Sequence, residues 1–111
     1  MSNYENTINY YKSKVDILKK NIKTLGKEIN ILEDEYSKYL TSTSICVSTE
    51  HYKLAAHHAK LGMKILKRRN DLYEILIQNS QQMYEYGKKI CRLKQLRYDF
   101  LKEGKNSYET N

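Results

Sequence analysis

The sequence predicts an all-α chain, a two-helix antiparallel coiled-coil hairpin whose C-terminal helix is the longer, and three observations predict it. Ten positions, Ile8, Tyr11, Val15, Leu18, Ile22, Leu25, Ile29, Leu32, Tyr36 and Tyr39, follow one unbroken 3-4-3-4 rhythm, a seam that needs a second helix to bury it. Proline is absent from the 111 residues and glycine occurs four times, so few places can turn the chain. A second run of apolar residues at helical spacing extends from Leu54 to Phe100.

Helix 1 is expected at about residues 3–40. Ser2 and Glu5 stand at capping-box spacing, where hydroxyl and carboxylate satisfy free amides of the first turn. From Thr41 to Ser48 the sequence reads Thr-Ser-Thr-Ser-Ile-Cys-Val-Ser. Hydroxyl side chains compete for backbone hydrogen bonds there and β-branched residues weaken helix, so the turn is placed at 41–48. Ser48 then caps helix 2, with Glu50 in its first turn.

Helix 2 is expected at about 49–103, with Gly104 as its stop and 104–111 as a disordered tail. Its seam reads Leu54, His58, Leu61, Ile65, Arg68, Leu72, Ile75, Asn79, Met83, Tyr86, Ile90, Leu93, Arg97 and Phe100. Two successive steps of four, 75-79-83, make a stutter. A turn at 41–48 pairs residues whose numbers sum to about 89. That register brings Gly26 near Gly62, Lys53 near Glu35 and Lys60 near Glu28. It also exhausts helix 1 opposite about residue 83, which leaves Tyr86, Ile90, Leu93, Leu96 and Phe100 without an intramolecular partner. Exposed apolar stripes mark interaction sites.

Charge sharpens that expectation. The net charge is +7, and residues 49–105 carry thirteen Lys/Arg against six Asp/Glu, whereas residues 1–40 carry seven Lys against six acids. The unpaired end combines its apolar stripe with Lys88, Lys89, Arg92, Lys94, Arg97, Lys102 and Lys105, a composition suited to an acidic ring or groove. A basic collar, Lys19, Lys20 and Lys23 level with Lys64, Lys67, Arg68 and Arg69, is expected at mid-hairpin. Asp71, Glu74, Glu85, Asp99 and Glu103 interrupt the basic face, which weighs against non-specific nucleic-acid binding.

No cofactor and no enzyme activity are expected, because the chain has no glycine-rich phosphate loop, no nucleophile with a base and no paired carboxylates in a cleft. His51, His57 and His58 lack a completing ligand at metal spacing. Cys46 and Cys91 share no redox or metal spacing, and along a continuous helix they stand roughly 65 Å apart, beyond disulfide reach. No run of about 18 uncharged apolar residues suits membrane insertion, and Met1–Asn9 lack the order of a signal peptide, so a cytoplasmic protein is expected. Of the eleven tyrosines, Tyr11, Tyr36, Tyr39 and Tyr86 fall on the seams. Tyr4, Tyr10, Tyr73, Tyr84 and Tyr98 are candidate partner contacts.

Two short segments carry a family resemblance. Glu35-Tyr36-Ser37-Lys38-Tyr39-Leu40 resembles the Glu-Tyr-x-x-x-Leu end of the first helix in flagellar members of the type III secretion central-stalk family (FliJ, YscO, InvI). Ser48-Thr49-Glu50-His51-Tyr52 is similar to the start of helix 2 in its invasion-type members. The resemblance implies a non-catalytic stalk and adaptor in the cytoplasm, peripheral to the secretion apparatus at the inner membrane. Its implied partners are the hexameric secretion ATPase, an export-gate protein and cargo chaperones. Set on that family's plan, the ATPase contacts are Tyr86, Lys89, Ile90, Arg92, Leu93, Lys94, Arg97 and Phe100, and the export-gate contacts are Leu32, Tyr36 and Tyr52. The competing expectation is a homodimeric helical chaperone or structural coiled-coil protein that associates through its exposed stripe.

Overall fold

The computed structural model describes the backbone of residues 3–110 and the side chains of residues 3–104. It is all-helical, with α1 at Asn3–Ser48 and α2 at Tyr52–Thr110, and no strand among the described residues. The capping-box serine, Ser2, lies outside the described residues. Contacts gather into two compact units. An end unit comprises Met1–Lys20 and Asn79–Asn111, and a turn unit comprises Asn21–Gln78.

The rhythm that predicts helix 1 does not stop at Tyr39. Thr43 is half-buried and Cys46 buried, so the same 3-4 spacing continues through the hydroxyl-rich segment, and burial of that continued seam holds it helical. The hydroxyls do not compete with the helix, because they bond back along it: Thr41 Oγ1 donates to Ser37 O at 3.0 Å, Thr43 Oγ1 to Tyr39 O at 2.8 Å and Ser48 Oγ to Ser44 O at 3.0 Å. Each such bond meets the side chain's need without breaking the ladder. The turn expected at 41–48 is therefore helix, and Ser48 ends α1 rather than capping α2.

The actual connection is Thr49-Glu50-His51. Glu50 N donates to Val47 O at 3.1 Å and His51 N to Cys46 O at 2.7 Å, the paired 5→2 and 6→1 bonds of a Schellman stop. That stop requires a left-handed residue, and Glu50 supplies it with φ 64°. His51 O then accepts from Ala55 N at 2.9 Å, the first bond of α2, which makes His51 the N-cap. Its ring Nδ1 lies 2.8 Å from Thr49 Oγ1. At the far end, helical backbone runs through Gly104 to Thr110, so Gly104 is not the stop.

Within the turn unit, Tyr39 meets His58 at 6.2 Å between ring centroids and stands 3.4 Å from where a Cβ on Gly62 would lie, while Glu33 meets Arg69 and Tyr73. Residue numbers fall along α1 as they rise along α2, the order of a helical hairpin. These pairs sum to between 97 and 106 rather than 89, because the turn centres on Glu50 instead of near Ile45.

The α2 face that this register covers is Ala55, His58, Gly62, Ile65, Arg69, Leu72, Leu76, Asn79, Met83, Tyr86, Ile90, Leu93 and Arg97, each buried or half-buried. It is an unbroken 3-4 rhythm without the stutter. Ile75, Leu54 and Arg68 are exposed, and Leu76, Ala55 and Arg69 take their places. Small residues lie on the seam where α1 brings large ones: Gly62 faces Tyr36 and Tyr39, and not Gly26, which has nothing within 4 Å of a Cβ position. The buried apolar residues are Ile8 and Leu18 in the end unit and Ile29, Cys46, Ala55 and Leu72 in the turn unit.

Left-handed backbone costs a side-chain-bearing residue about 1–2 kcal/mol. Glycine relieves that cost, and its freer unfolded chain offsets part of the gain. Glu50→Gly is therefore expected to raise the unfolding free energy by about 0.5–1 kcal/mol in urea denaturation, and Glu50→Val to lower it.

Candidate functional site

The side chains singled out by sequence lie on two surfaces, one in each unit. In the end unit the seam is built of tyrosine and lysine. Tyr11 packs against Tyr86 with ring centroids 5.5 Å apart and planes tilted by 36°, and Tyr10 meets Tyr11 edge-on at 5.5 Å. Lys89 Nζ sits 5.4 Å from the Tyr11 ring and 5.7 Å from the Tyr86 ring, where an ammonium is attracted to the negative ring faces.

Those contacts correct the expectation that α2 runs alone after Met83. Tyr86 is covered by Tyr11, and Ile90, Leu93 and Arg97 are half-buried. Lys89 is engaged with both rings. Of the eight candidate ATPase contacts, Lys89, Arg92, Lys94 and Phe100 are exposed, Lys89 while it lies over the two rings. The exposed apolar surface near this end is Tyr98, Phe100 and Leu101, at 61%, 62% and 63% exposure, with Leu96 beside them. Arg92, Lys94 and Lys102 are exposed along the same stretch. Leu101 is not among the candidates because it lies off the expected seam, whereas Tyr98 is among the expected partner contacts but not the ATPase set.

The end unit also contains a feature that the seam reading overlooked. Lys14 Nζ lies 5.3 Å from the Tyr10 ring and Lys88 Nζ 4.8 Å from the Tyr84 ring, and in the turn unit the Arg69 guanidinium lies 5.4 Å from the Tyr73 ring. All three are i,i+4 pairs, a spacing that places neighbours on one helix face. That spacing is readable in the sequence. Lys88 additionally pairs with Glu85 at 3.1 Å.

In the turn unit, Glu33 joins the helices by accepting from Tyr73 Oη at 3.2 Å and pairing with Arg69 at 3.7 Å. Arg69 Nη2 also donates to Asn70 Oδ1 at 3.0 Å, while its Nε is buried with no hydrogen-bond partner. Glu33 therefore meets a cation, in place of the expected Glu35–Lys53 and Glu28–Lys60 pairs, which belong to the earlier register. Both groups remain partly solvated, so the pair contributes at most about 1 kcal/mol.

The export-gate candidates divide in the same way. Leu32 and Tyr36 are half-buried on the α1 seam, with Tyr36 against Gly62, whereas Tyr52 is 64% exposed. Tyr52 lines a shallow hollow with Glu50, His51, Lys53, Leu54 and His57. A groove of about 160 Å³ lies between Leu40, Thr43, Ala59 and Met63, floored by Tyr36, Tyr39 and Gly62.

The residues of the expected basic collar divide between the two units. Arg69 is drawn to Glu33, and Arg68 shares a hollow with Glu28, Ile31, Leu32 and Leu72. Lys23 precedes Glu33 by ten residues, about 15 Å of helix. Lys19 and Lys20 belong to the end unit. The later turn concentrates charge elsewhere: residues 36–70 hold seven Lys/Arg and a single acid, Glu50.

Among the described residues, no group of three or more His, Cys, Asp or Glu could hold a metal ion. His58 lies beside Tyr39, with its Nδ1 buried and unpaired. Cys46 is buried and Cys91 exposed, both as free thiols. No helix is long and apolar enough, among the described residues, to cross a membrane.

Offset aromatic pairs contribute about 0.5–1.5 kcal/mol beyond their area. A double-mutant cycle on Tyr11→Ala and Tyr86→Ala, followed by urea denaturation, is expected to return a coupling in that range. Additivity within about 0.3 kcal/mol would mean that the rings do not interact.

Compared with family models, with curated proteins and with solved structures, the chain matches none.

Proposed function

We propose that the chain is a non-catalytic central-stalk and adaptor protein of a type III secretion export apparatus, its two helices wound as an antiparallel coiled coil. It binds the hexameric secretion ATPase and the export gate, promotes export, and works in the cytoplasm against the inner membrane. The helical-hairpin order of contacts and the two unbroken seams support a coiled coil. The segments Glu35–Leu40 and Ser48–Tyr52, which carry the family resemblance, support the choice of apparatus.

The observation that carries the reading is the C-terminal stretch of α2. Tyr98, Phe100 and Leu101 stand exposed beside Arg92, Lys94 and Lys102 on one helix. Aromatic anchors amid cations suit a pocket with acidic walls. Tyr86, Ile90 and Leu93 act differently in this scheme. Held against α1, they form the stem that keeps the contact end helical, and Lys89 stiffens that stem across Tyr11 and Tyr86. Tyr52, exposed beside the turn, is the remaining side chain free to reach the export gate.

The test uses the cognate ATPase. Adding the chain is expected to promote hexamer assembly and raise ATP turnover, and Phe100→Ala with Leu101→Ala is expected to weaken the effect at least about tenfold, as for loss of an interface anchor. No change in assembly or turnover on adding the intact chain would refute the stalk reading.

A further inference from the structure

α2 carries a second 3-4 rhythm, on a face beside the one that α1 covers; α1 reaches it only at its edge, where Tyr73 Oη donates to Glu33, and Leu66 is half-buried. Ala56, Ala59, Met63, Leu66, Asn70, Tyr73 and Ile77 follow one another at steps of three and four, with no charged residue among them. Met63 is 64% and Ile77 52% exposed, and Tyr73 is more than a third exposed. All belong to the turn unit. On α1, Leu40 adds to the same apolar surface by sharing a groove with Ala59 and Met63. A heptad-spaced apolar row requires another helix, and within the turn unit α1 is already spent on the first row.

We propose that this outer face of α2 is a self-association surface, on which two copies of the chain pair α2 against α2 in opposite directions about a twofold axis at Asn70. Charge identifies the occupant. The row bordering the face reads Lys53, Lys60, Lys67 and then Glu74, at seven-residue intervals. The whole unit is polarised about the same point. Residues 36–70 carry seven cations and one acid, whereas residues 21–35 and 71–78 together carry two lysines and six acids. Reversing one copy about Asn70 sets Lys67 against the other copy's Glu74, twice by symmetry. A parallel pairing would set like charges together.

Side-chain size fits the same register. Met63 comes opposite Ile77 and Leu66 opposite Tyr73, with Asn70 facing its own symmetry mate. Asn70 Oδ1 already accepts from Arg69, and its amide retains donors for the facing carboxamide. A lone buried asparagine pair is a known means of holding helices in one register. This surface is separate from the residues assigned to the ATPase contact and does not rest on that assignment.

The experiment measures mass against concentration for the full chain, by sedimentation equilibrium. A monomer–dimer equilibrium is expected, with a Kd of about 1–100 μM for an interface at the small end of the stable range. Met63→Glu and Ile77→Lys should each weaken it at least about tenfold, while circular dichroism stays unchanged because both side chains are exposed. Lys67→Glu should weaken it, and Lys67→Glu combined with Glu74→Lys should restore it. Asn70→Cys in a Cys91→Ser background should oxidise to a disulfide-linked dimer, because only a residue on the axis meets itself. A chain that stays monomeric at about 1 mM overturns the proposal and leaves the face to a different protein. A dimer indifferent to Met63→Glu and Ile77→Lys, or a failure of Asn70→Cys to cross-link, overturns it equally.

Discussion

The 2.7 Å hydrogen bond from His51 N to Cys46 O ends α1, and through it the register of the two helices is set. With the connection centred on Glu50, Tyr39 falls against Gly62 and Glu33 against Arg69. A stop eight residues earlier would instead bring Tyr39 level with Glu50 and expose Thr43 and Cys46. The stop uses a left-handed glutamate where glycine would cost less, so the local backbone is not at its own minimum. Packing on the two seams compensates, since Ile29, Cys46, Ala55 and Leu72 are all buried within the unit that contains the turn.

Most of the helical content was legible in the sequence, because Ile8 to Tyr39 repeats at the period of a buried helix face and every one of those positions is buried or half-buried. The turn was not legible from propensity. Thr41, Thr43 and Ser48 suggest loop when considered singly, but their hydroxyls bond to carbonyls four residues back and leave the helix intact. Continuing the heptad count would have carried α1 through Thr43 to Cys46. On α2, size misled. Leu61 looks like the seam residue beside Gly62, yet a seam position that faces Tyr36 and Tyr39 requires a small side chain.

The candidate contacts were legible to a different degree. In the end unit Tyr86 meets Tyr11 of α1 and Ile90 and Leu93 are half-buried where a free end was expected, and Tyr98, Phe100 and Leu101 are the exposed apolar group. The cation–tyrosine pairs at Tyr10/Lys14, Arg69/Tyr73 and Tyr84/Lys88 needed no register at all, since each lies within one helix. Arg69 could not be assigned from sequence. Whether it joins a basic surface or a carboxylate depends on which acid the turn brings opposite, and the turn brings Glu33.

Two seams that count in step also restrict how such a chain can change length. Removing one residue from either arm rotates everything beyond it by about 100° around the helix axis and turns the seam away from its mate. Removing seven from one arm restores the rotation but slides one seam along the other, so that Gly62 would lose Tyr39. Length changes that preserve the packing therefore come as whole heptads taken from both arms at the same level. Insertions and deletions among natural variants of this chain should accordingly arise as matched pairs, one on each side of Glu50.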